Sequence, residues 1–217
     1  MRGLRRIAAL LTMAWVLQAT IVDRVAIAVG NKVITQSEIE ERIRLSAFQN
    51  GDKPDFSLAS RKQSAERLID QKLIEREMDV GHFPRADSER GKQLLADYEA
   101  SSYHADSPAS HAAMLTALAA DGLTADELEA DLMRQADLLT FLDLRFKPAV
   151  QVDDAEVRKY FDQSIPPGPE KEQLGLGGMR PQIELILATQ QADKDLDEWL
   201  KDQRLRLKIE YVDKDLK

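Results

Sequence analysis

The residue types that carry most protein chemistry are sparse in this sequence. It contains no cysteine and three histidines, His82, His104 and His111. Without cysteine, structural disulfides, thiolate catalysis and cysteine-ligated zinc are excluded. His104 and His111 lie seven residues apart in a polar stretch, and no nearby pair of carboxylates completes a metal-binding pattern. We interpret the histidines as surface side chains and predict neither a metal site nor a cofactor.

The serines, glycines and acids also lack a catalytic context. Ser101, Ser102 and Ser110 lie near two of the histidines, but the sequence has no G-x-S-x-G motif to expose a nucleophilic serine. The glycine cluster at 175–178 is not followed by the Lys-Ser/Thr pair of a phosphate-binding loop. The abundant carboxylates fall mainly on the polar faces of predicted helices, where solvent explains them. We therefore predict no catalytic residue and no enzyme activity.

The first residues have the pattern of a secretory signal peptide. Arg2, Arg5 and Arg6 precede a mostly apolar run over 7–19, which ends in the small residue Ala19. The run is shorter than the roughly 20 apolar residues of a membrane span. We expect a signal that is cleaved after Ala19 and no membrane span in the mature protein, with a retained anchor as the alternative.

The charge of the chain restricts its partners. The sequence has 30 basic and 38 acidic residues, a net charge of −8. Removing the three arginines of the predicted signal leaves 27 against 38 and a net charge of −11. An acidic surface repels phosphate groups, so nucleic acid and anionic lipid are disfavoured as partners.

Behind the signal, the sequence predicts a compact β-β-α unit. In segment 25–29 large β-branched residues alternate with alanines, which is the period of a strand. Gly30-Asn31 is a two-residue hairpin signal in which glycine supplies the positive φ of a type II′ turn. Segment 32–34 can return as a second strand. The sequence Thr-Gln-Ser-Glu at 35–38 is a capping box, which predicts that a helix begins near residue 36.

The remainder of the chain is predicted to be mainly helical. Helical periodicity and stop signals indicate helices over 59–80, 86–103, 109–120, 125–146, 152–164 and 182–206. The apolar stripe of the helix that ends near residue 146 is predicted to contain Leu128, Leu132, Ala136, Leu139 and Phe146. Asp153 or Asp154 is the expected N-cap of the next helix.

Two further segments complete the predicted fold. Residues 164–181 hold four prolines and four glycines and are predicted to form a short Pro/Gly loop. Residues 207–211 alternate apolar and charged side chains and are predicted to form a strand. Because an isolated hairpin is marginal in water, we expect this strand to pair with the N-terminal hairpin. The predicted fold is mostly α with a small antiparallel sheet, as a single domain over 20–217.

Five segments, in order, resemble the chaperone core of SurA-type periplasmic chaperones and related PpiC-type foldases. The first segment, VDRVAIAVGNKVITQSEIEERI, is similar to the strand, turn, strand and helix that open the mature family members. The other four are AERLIDQKLIEREMDVG, GLTADELEADLMRQADLLTFLDLRF, VDDAEVRKYFDQ and LDEWLKDQRLRLKIEYV. The resemblance implies a multi-helix body whose terminal helix and strand fold back onto the N-terminal part.

One departure from the family is large. Its members normally carry one or two parvulin prolyl-isomerase domains where this chain has only residues 164–181. The resemblance therefore implies a periplasmic, ATP-independent chaperone without isomerase activity. Its partners would be unfolded outer-membrane or exported polypeptides, bound in an apolar groove whose residues the sequence does not identify. The alternative is an assembly module whose groove is filled by a dedicated partner or a second copy, as in a homodimer formed by strand or segment exchange.

Overall fold

The N-terminal segment folds into a hairpin whose turn requires a glycine. In the computed structural model, which describes residues 23–103 and 108–217, β1 (Val25–Val29) pairs antiparallel with β2 (Lys32–Thr35). Gly30 in the connecting turn has a φ of 60°, a left-handed conformation that glycine adopts without strain. The predicted signal peptide and His104 lie outside the described residues.

Seven helices follow within the described part of the chain. The first begins at once because Thr35 Oγ1 accepts a hydrogen bond from the Glu38 N–H and a Glu38 carboxylate oxygen accepts one from the Thr35 N–H. The same box recurs at Thr124 and at Asp153, which is therefore the N-cap rather than Asp154. The helices are α1 Gln36–Asn50, α2 Leu58–Val80, α3 Ser88–Tyr103, α4 Pro108–Ala120, α5 Ala125–Arg145, α6 Asp154–Ser164 and α7 Pro169–Arg206.

The C-terminal strand completes the sheet and joins the two ends of the described chain. β3 (Ile209–Tyr211) pairs antiparallel with β1, which gives the strand order β2-β1-β3. Ile27 lies opposite Tyr211, and the Gly30 N–H donates to the carbonyl oxygen of Lys208 at 2.9 Å. The predicted pairing between the ends is confirmed, and with it the mostly α fold that contains a small antiparallel sheet.

Apolar side chains form three clusters in the described residues. The largest packs the inner face of the sheet against α1, α2, α5 and α7, with Ile27, Ile34, Ile69 and Phe141 fully buried. A second cluster joins α4 and the start of α5 to Leu45 of α1. A third lies between α6 and the first half of α7. None of the helices in residues 23–103 and 108–217 is long and apolar enough to cross a membrane.

The predicted Pro/Gly loop over 164–181 is wrong in most of its length. The connection after α6 ends at Gly168, and α7 begins at Pro169. Proline is tolerated in the first turn of a helix because the N–H that it lacks would have no partner within the helix. The helix breaks at Gly175, which has φ 59° and ψ −174°, and continues through Pro181. Met179 and Ile183 are buried against Val157 of α6, and this packing outweighs the weak helical propensity of the segment.

The predicted apolar stripe of α5 is wrong at Leu139. Leu139 is 62% exposed, whereas Phe141 and Leu142 are buried. The buried face runs through Leu128, Asp131 and Leu142, so the aspartate occupies a position for which an apolar residue is expected. This exception leads to the candidate site.

Candidate functional site

His111 and Ser101, two of the residues noted in the sequence, make local contacts in the structure. His82 and His111 are both exposed. Nδ1 of His111 lies 2.8 Å from a carboxylate oxygen of Glu99, which links α4 to α3. Ser101 donates its hydroxyl to the carbonyl oxygen of Tyr98 within α3. In the described ranges no three histidine, aspartate or glutamate side chains are placed to hold a metal ion.

A cleft lies between α1, α2, α5 and α7 of the described residues. Its volume of about 450 Å³ lies in the range of known ligand-binding pockets, about 300–1,000 Å³. We call its apolar side the floor, which consists of Ile74, Met78, Leu138, Leu196 and Leu200. Arginines, carboxylates and glutamines surround the floor. Such a cleft can bury one or two apolar side chains of a partner while its edge remains hydrated.

The periodicity of α2 explains how that helix lines the cleft. Arg67, Asp70, Ile74 and Met78 recur at spacings of three or four residues, so they lie on one face of the helix. Helix α7 contributes Leu196 and Leu200 by the same four-residue spacing. Two of the four walls of the cleft therefore follow from local helical geometry.

The wall between α1 and α5 is fixed by a buried carboxylate. Asp131 has a side chain only 1% exposed, and it lies 2.7 Å from Nη1 of Arg42 and 3.2 Å from Nη2 of Arg134. Gln49 and Gln135 each donate a side-chain hydrogen bond to it at 2.8 Å. Burial alone would raise the pKa of Asp131, but the two arginines and two amides outweigh this effect and lower its pKa. Asp131 is therefore an ionised group that fixes α1 against α5.

A second polar cluster adjoins the cleft through Asp70, which lines it. Nη1 of Arg204 lies 2.5 Å from a carboxylate oxygen of Glu66, and Nη2 lies 2.7 Å from one of Asp70. The Tyr211 hydroxyl donates to Glu66 at 2.6 Å. Burial raises the pKa of Asp70, although Arg204 opposes it. The cluster connects α2 to α7 and β3, so it stabilises both the sheet and one side of the cleft.

Tyr211→Phe tests how much this polar cluster stabilises the fold, through the pH dependence of the free energy of unfolding. Burial and the neighbouring Glu66 raise the pKa of Tyr211 to about 12, above the ordinary value of about 10. The unfolded chain therefore ionises first, and the free energy of unfolding should fall between about pH 10 and pH 12. At pH 7 the variant should lose about 1–2 kcal/mol with the hydrogen bond. Urea unfolding across this pH range measures both effects.

The matched control for this variant is Tyr160→Phe, because the Tyr160 hydroxyl makes no hydrogen bond within the described residues. In Tyr211→Phe the decline above pH 10 should be shallower than in the native protein. An identical decline in Tyr211→Phe and the native protein would contradict the role assigned to the hydroxyl.

The cleft was not predicted from the sequence. The predicted stripe of α5 contained Leu139 rather than Leu138 of the floor, and Asp131, Arg42 and Arg134 were not singled out. One signal was present: Asp131 lies three residues after Leu128, on the apolar stripe itself. An acid on such a stripe needs a buried cationic partner, but the sequence does not say which arginine provides it.

The protein is mainly helical, and a small sheet joins the two ends of its described residues. A pocket of ligand-binding size lies among four of the helices. No family model matches this chain, and no curated protein matches it.

Proposed function

We propose that this protein is an ATP-independent periplasmic chaperone of the SurA type, a holdase that binds unfolded outer-membrane or exported polypeptides in the cleft. The observation that carries the proposal is the apolar floor, five residues from three helices surrounded by charged groups. The five sequence segments that resemble SurA-type chaperones support it. The proposal includes no isomerase activity, because residues 164–181 replace the domain that would carry it.

The physical mechanism is shielding of apolar client side chains. A client residue on the floor is removed from water, which is favourable by roughly 25 cal/mol per Å² of apolar surface. A cleft of about 450 Å³ holds only a small part of a client, so each contact is weak and dissociation is fast. Release then needs no energy source.

The proposal is tested by an aggregation assay with a leucine variant of the floor. Purified protein should suppress aggregation of a denatured outer-membrane protein at near-stoichiometric amounts. Leu196→Gln should weaken suppression about tenfold or more, because a buried leucine contributes about 1.5–3 kcal/mol. Light scattering of the client, measured over a series of chaperone concentrations, gives the effect.

The matched control is Leu185→Gln on the same helix. Leu185 is 60% exposed and does not line the cleft, so this variant should suppress aggregation as the native protein does. Circular dichroism establishes that both variants are folded. An absence of suppression by the native protein over a wide excess would refute the holdase proposal.

Export is part of the same proposal. The basic and apolar residues at 1–19 would direct the chain to the periplasm, and cleavage after Ala19 would leave Thr20 as the first residue. Mass spectrometry of the protein from a periplasmic fraction distinguishes this mass from that of the full chain.

The second candidate is an assembly module, in which another copy or a dedicated partner fills the cleft permanently. It is favoured by two exposed leucines of α5 outside the cleft, Leu139 and Leu144, which an interface that extends beyond the cleft would cover. β3 pairs with β1 of its own chain in the structure, so a strand-exchanged homodimer would require that pairing to be replaced. Light scattering at tens of micromolar tests the form in which a second copy fills the cleft, because a strictly monomeric protein is incompatible with self-assembly.

A further inference from the structure

Most of the positive charge around the cleft is neutralised within the protein. Four arginines and no lysine line the cleft. Arg42 and Arg134 both pair with Asp131, at 2.7 and 3.2 Å. Arg85 pairs with Asp137 at 3.2 Å. These three guanidinium groups already form ion pairs with aspartates that line the cleft.

The fourth arginine, Arg67, is different. It is exposed on α2, and its guanidinium makes no hydrogen bond or ion pair with any other residue in 23–103 or 108–217. It lines the same cleft as Ile74, which lies two turns further along the same face of α2. A guanidinium with all its donors available binds a carboxylate through two parallel hydrogen bonds. The cleft therefore combines an apolar surface with one uncommitted anion-binding group.

The remaining charges of the cleft limit how acidic a ligand can be. Asp70, Glu75 and Asp137 also line it, and Asp70 and Asp137 already pair with Arg204 and Arg85. Of the four lining arginines, only Arg67 is without an ion pair among the described residues, so a segment with several acidic residues would leave all but one of its charges without a cation. A ligand with one carboxylate next to one apolar group matches the single available guanidinium. The C-terminal residue of a polypeptide meets this requirement when its side chain is apolar, because the α-carboxylate and the side chain are attached to the same carbon atom.

We propose that the cleft binds the C-terminal end of an unfolded polypeptide whose last residue is apolar. This inference rests on the proposed function and specifies which part of a client enters the cleft. Arg67 pairs with the α-carboxylate, and the last side chain packs on the floor against Ile74, Leu138 and Leu196. Chain ends occur once per client, so the site would recognise a client without reading its internal sequence.

The inference is tested with three dye-labelled peptides and fluorescence anisotropy. The first is Gly-Ser-Gly-Ser-Gly-Leu with a free C-terminus, and the second is the same peptide with a C-terminal amide. The third is also an amide but has aspartate in place of the last glycine, which restores the charge at an internal position. The free acid should bind about tenfold to a hundredfold more tightly than either amide, as expected for a charge-assisted contact.

The decisive variant is Arg67→Gln, with Arg76→Gln as its matched control. Arg76 is also exposed on α2 and without an ion pair among the described residues, but it does not line the cleft. Arg67→Gln should bind all three peptides with the weak affinity of the amide. Arg76→Gln should retain the preference for the free acid.

The remaining outcomes would overturn the inference in distinguishable ways. Equal binding of acid and amide by the native protein, or a preference that survives in Arg67→Gln, would exclude recognition of the carboxylate. Binding of the internal aspartate peptide as tightly as the free acid would make an internal acidic segment the occupant instead. If no peptide binds while aggregation of the unfolded client is still suppressed, only the chain-end inference fails. If suppression is also absent, the proposed function fails with it.

Discussion

Replacing Asp131 by asparagine should lower the free energy of unfolding by about 3–5 kcal/mol, the range found when one partner of a buried ion pair is removed. The side chain of Asp131 is 1% exposed, and its carboxylate lies between Arg42 and Arg134. The neutral amide would leave two arginines close together without the charge that holds them. Urea unfolding at pH 7, followed by circular dichroism, measures the loss.

The control is Asp143→Asn on the same helix. Asp143 forms an ion pair with Lys147, but its side chain is 55% exposed, so its loss should cost at most about 1 kcal/mol. A similar loss in the two variants would contradict the structural role of Asp131.

The effect of Asp131→Asn should also depend on pH. The folded protein holds the pKa of Asp131 below its ordinary value through Arg42, Arg134 and the two glutamine amides, which overcome the opposing effect of burial. A carboxyl group with a lowered pKa stabilises the folded state above its unfolded pKa of about 3.9 and loses this contribution as the pH falls through the folded pKa. The difference between the native protein and Asp131→Asn should therefore shrink below about pH 4.

Replacing Phe141 by alanine should have an effect of similar size from a different cause. Phe141 is fully buried, and its ring centroid lies 5.2 Å from that of Phe83, 5.6 Å from Phe146 and 5.5 Å from Trp199. Removing the ring leaves a cavity among these aromatic residues and should cost about 3–5 kcal/mol. For a chain of this size that corresponds to a fall in Tm of roughly 6–20 °C, which calorimetry can measure.

Phe56→Ala is the matched control, because Phe56 is 40% exposed and lies outside this cluster. It should change Tm by no more than a few degrees. Fluorescence of the protein without residues 1–19 adds a local measurement, since Trp199 is the one tryptophan of residues 20–217. An unchanged Trp199 emission spectrum in Phe141→Ala would contradict the packing described for the two rings.

Local signals in the sequence were sufficient for the hairpin and for the start of α1, one of the four helices that line the cleft. The alternation at 25–29, the glycine at Gly30 and the capping box at 35–38 predicted the hairpin and the start of α1, and all are confirmed. Each depends on contacts within a few residues. The pairing of β3 with β1 was predictable for another reason: a lone hairpin needs a further strand, and the sequence offers only one.

Properties that depend on packing between distant segments were not predictable. Proline and glycine in 164–181 indicated a loop, but burial of Met179 and Ile183 against Val157 makes most of that segment helical. Asp131 is 82 residues from Gln49, which donates to it, and no local pattern encodes that distance. The cleft exists only because four helices meet, so its lining follows from the fold rather than from any motif.

The position of β1 in the sheet has a consequence for how the protein folds. β1 is the central strand, but its second neighbour, β3, lies near the end of the sequence. Contacts between such remote segments carry a large loop-closure entropy and form late. Until β3 reaches the hairpin, one edge of the central strand stays unpaired. The sheet is therefore complete only when the segment at 209–211 has returned to the hairpin.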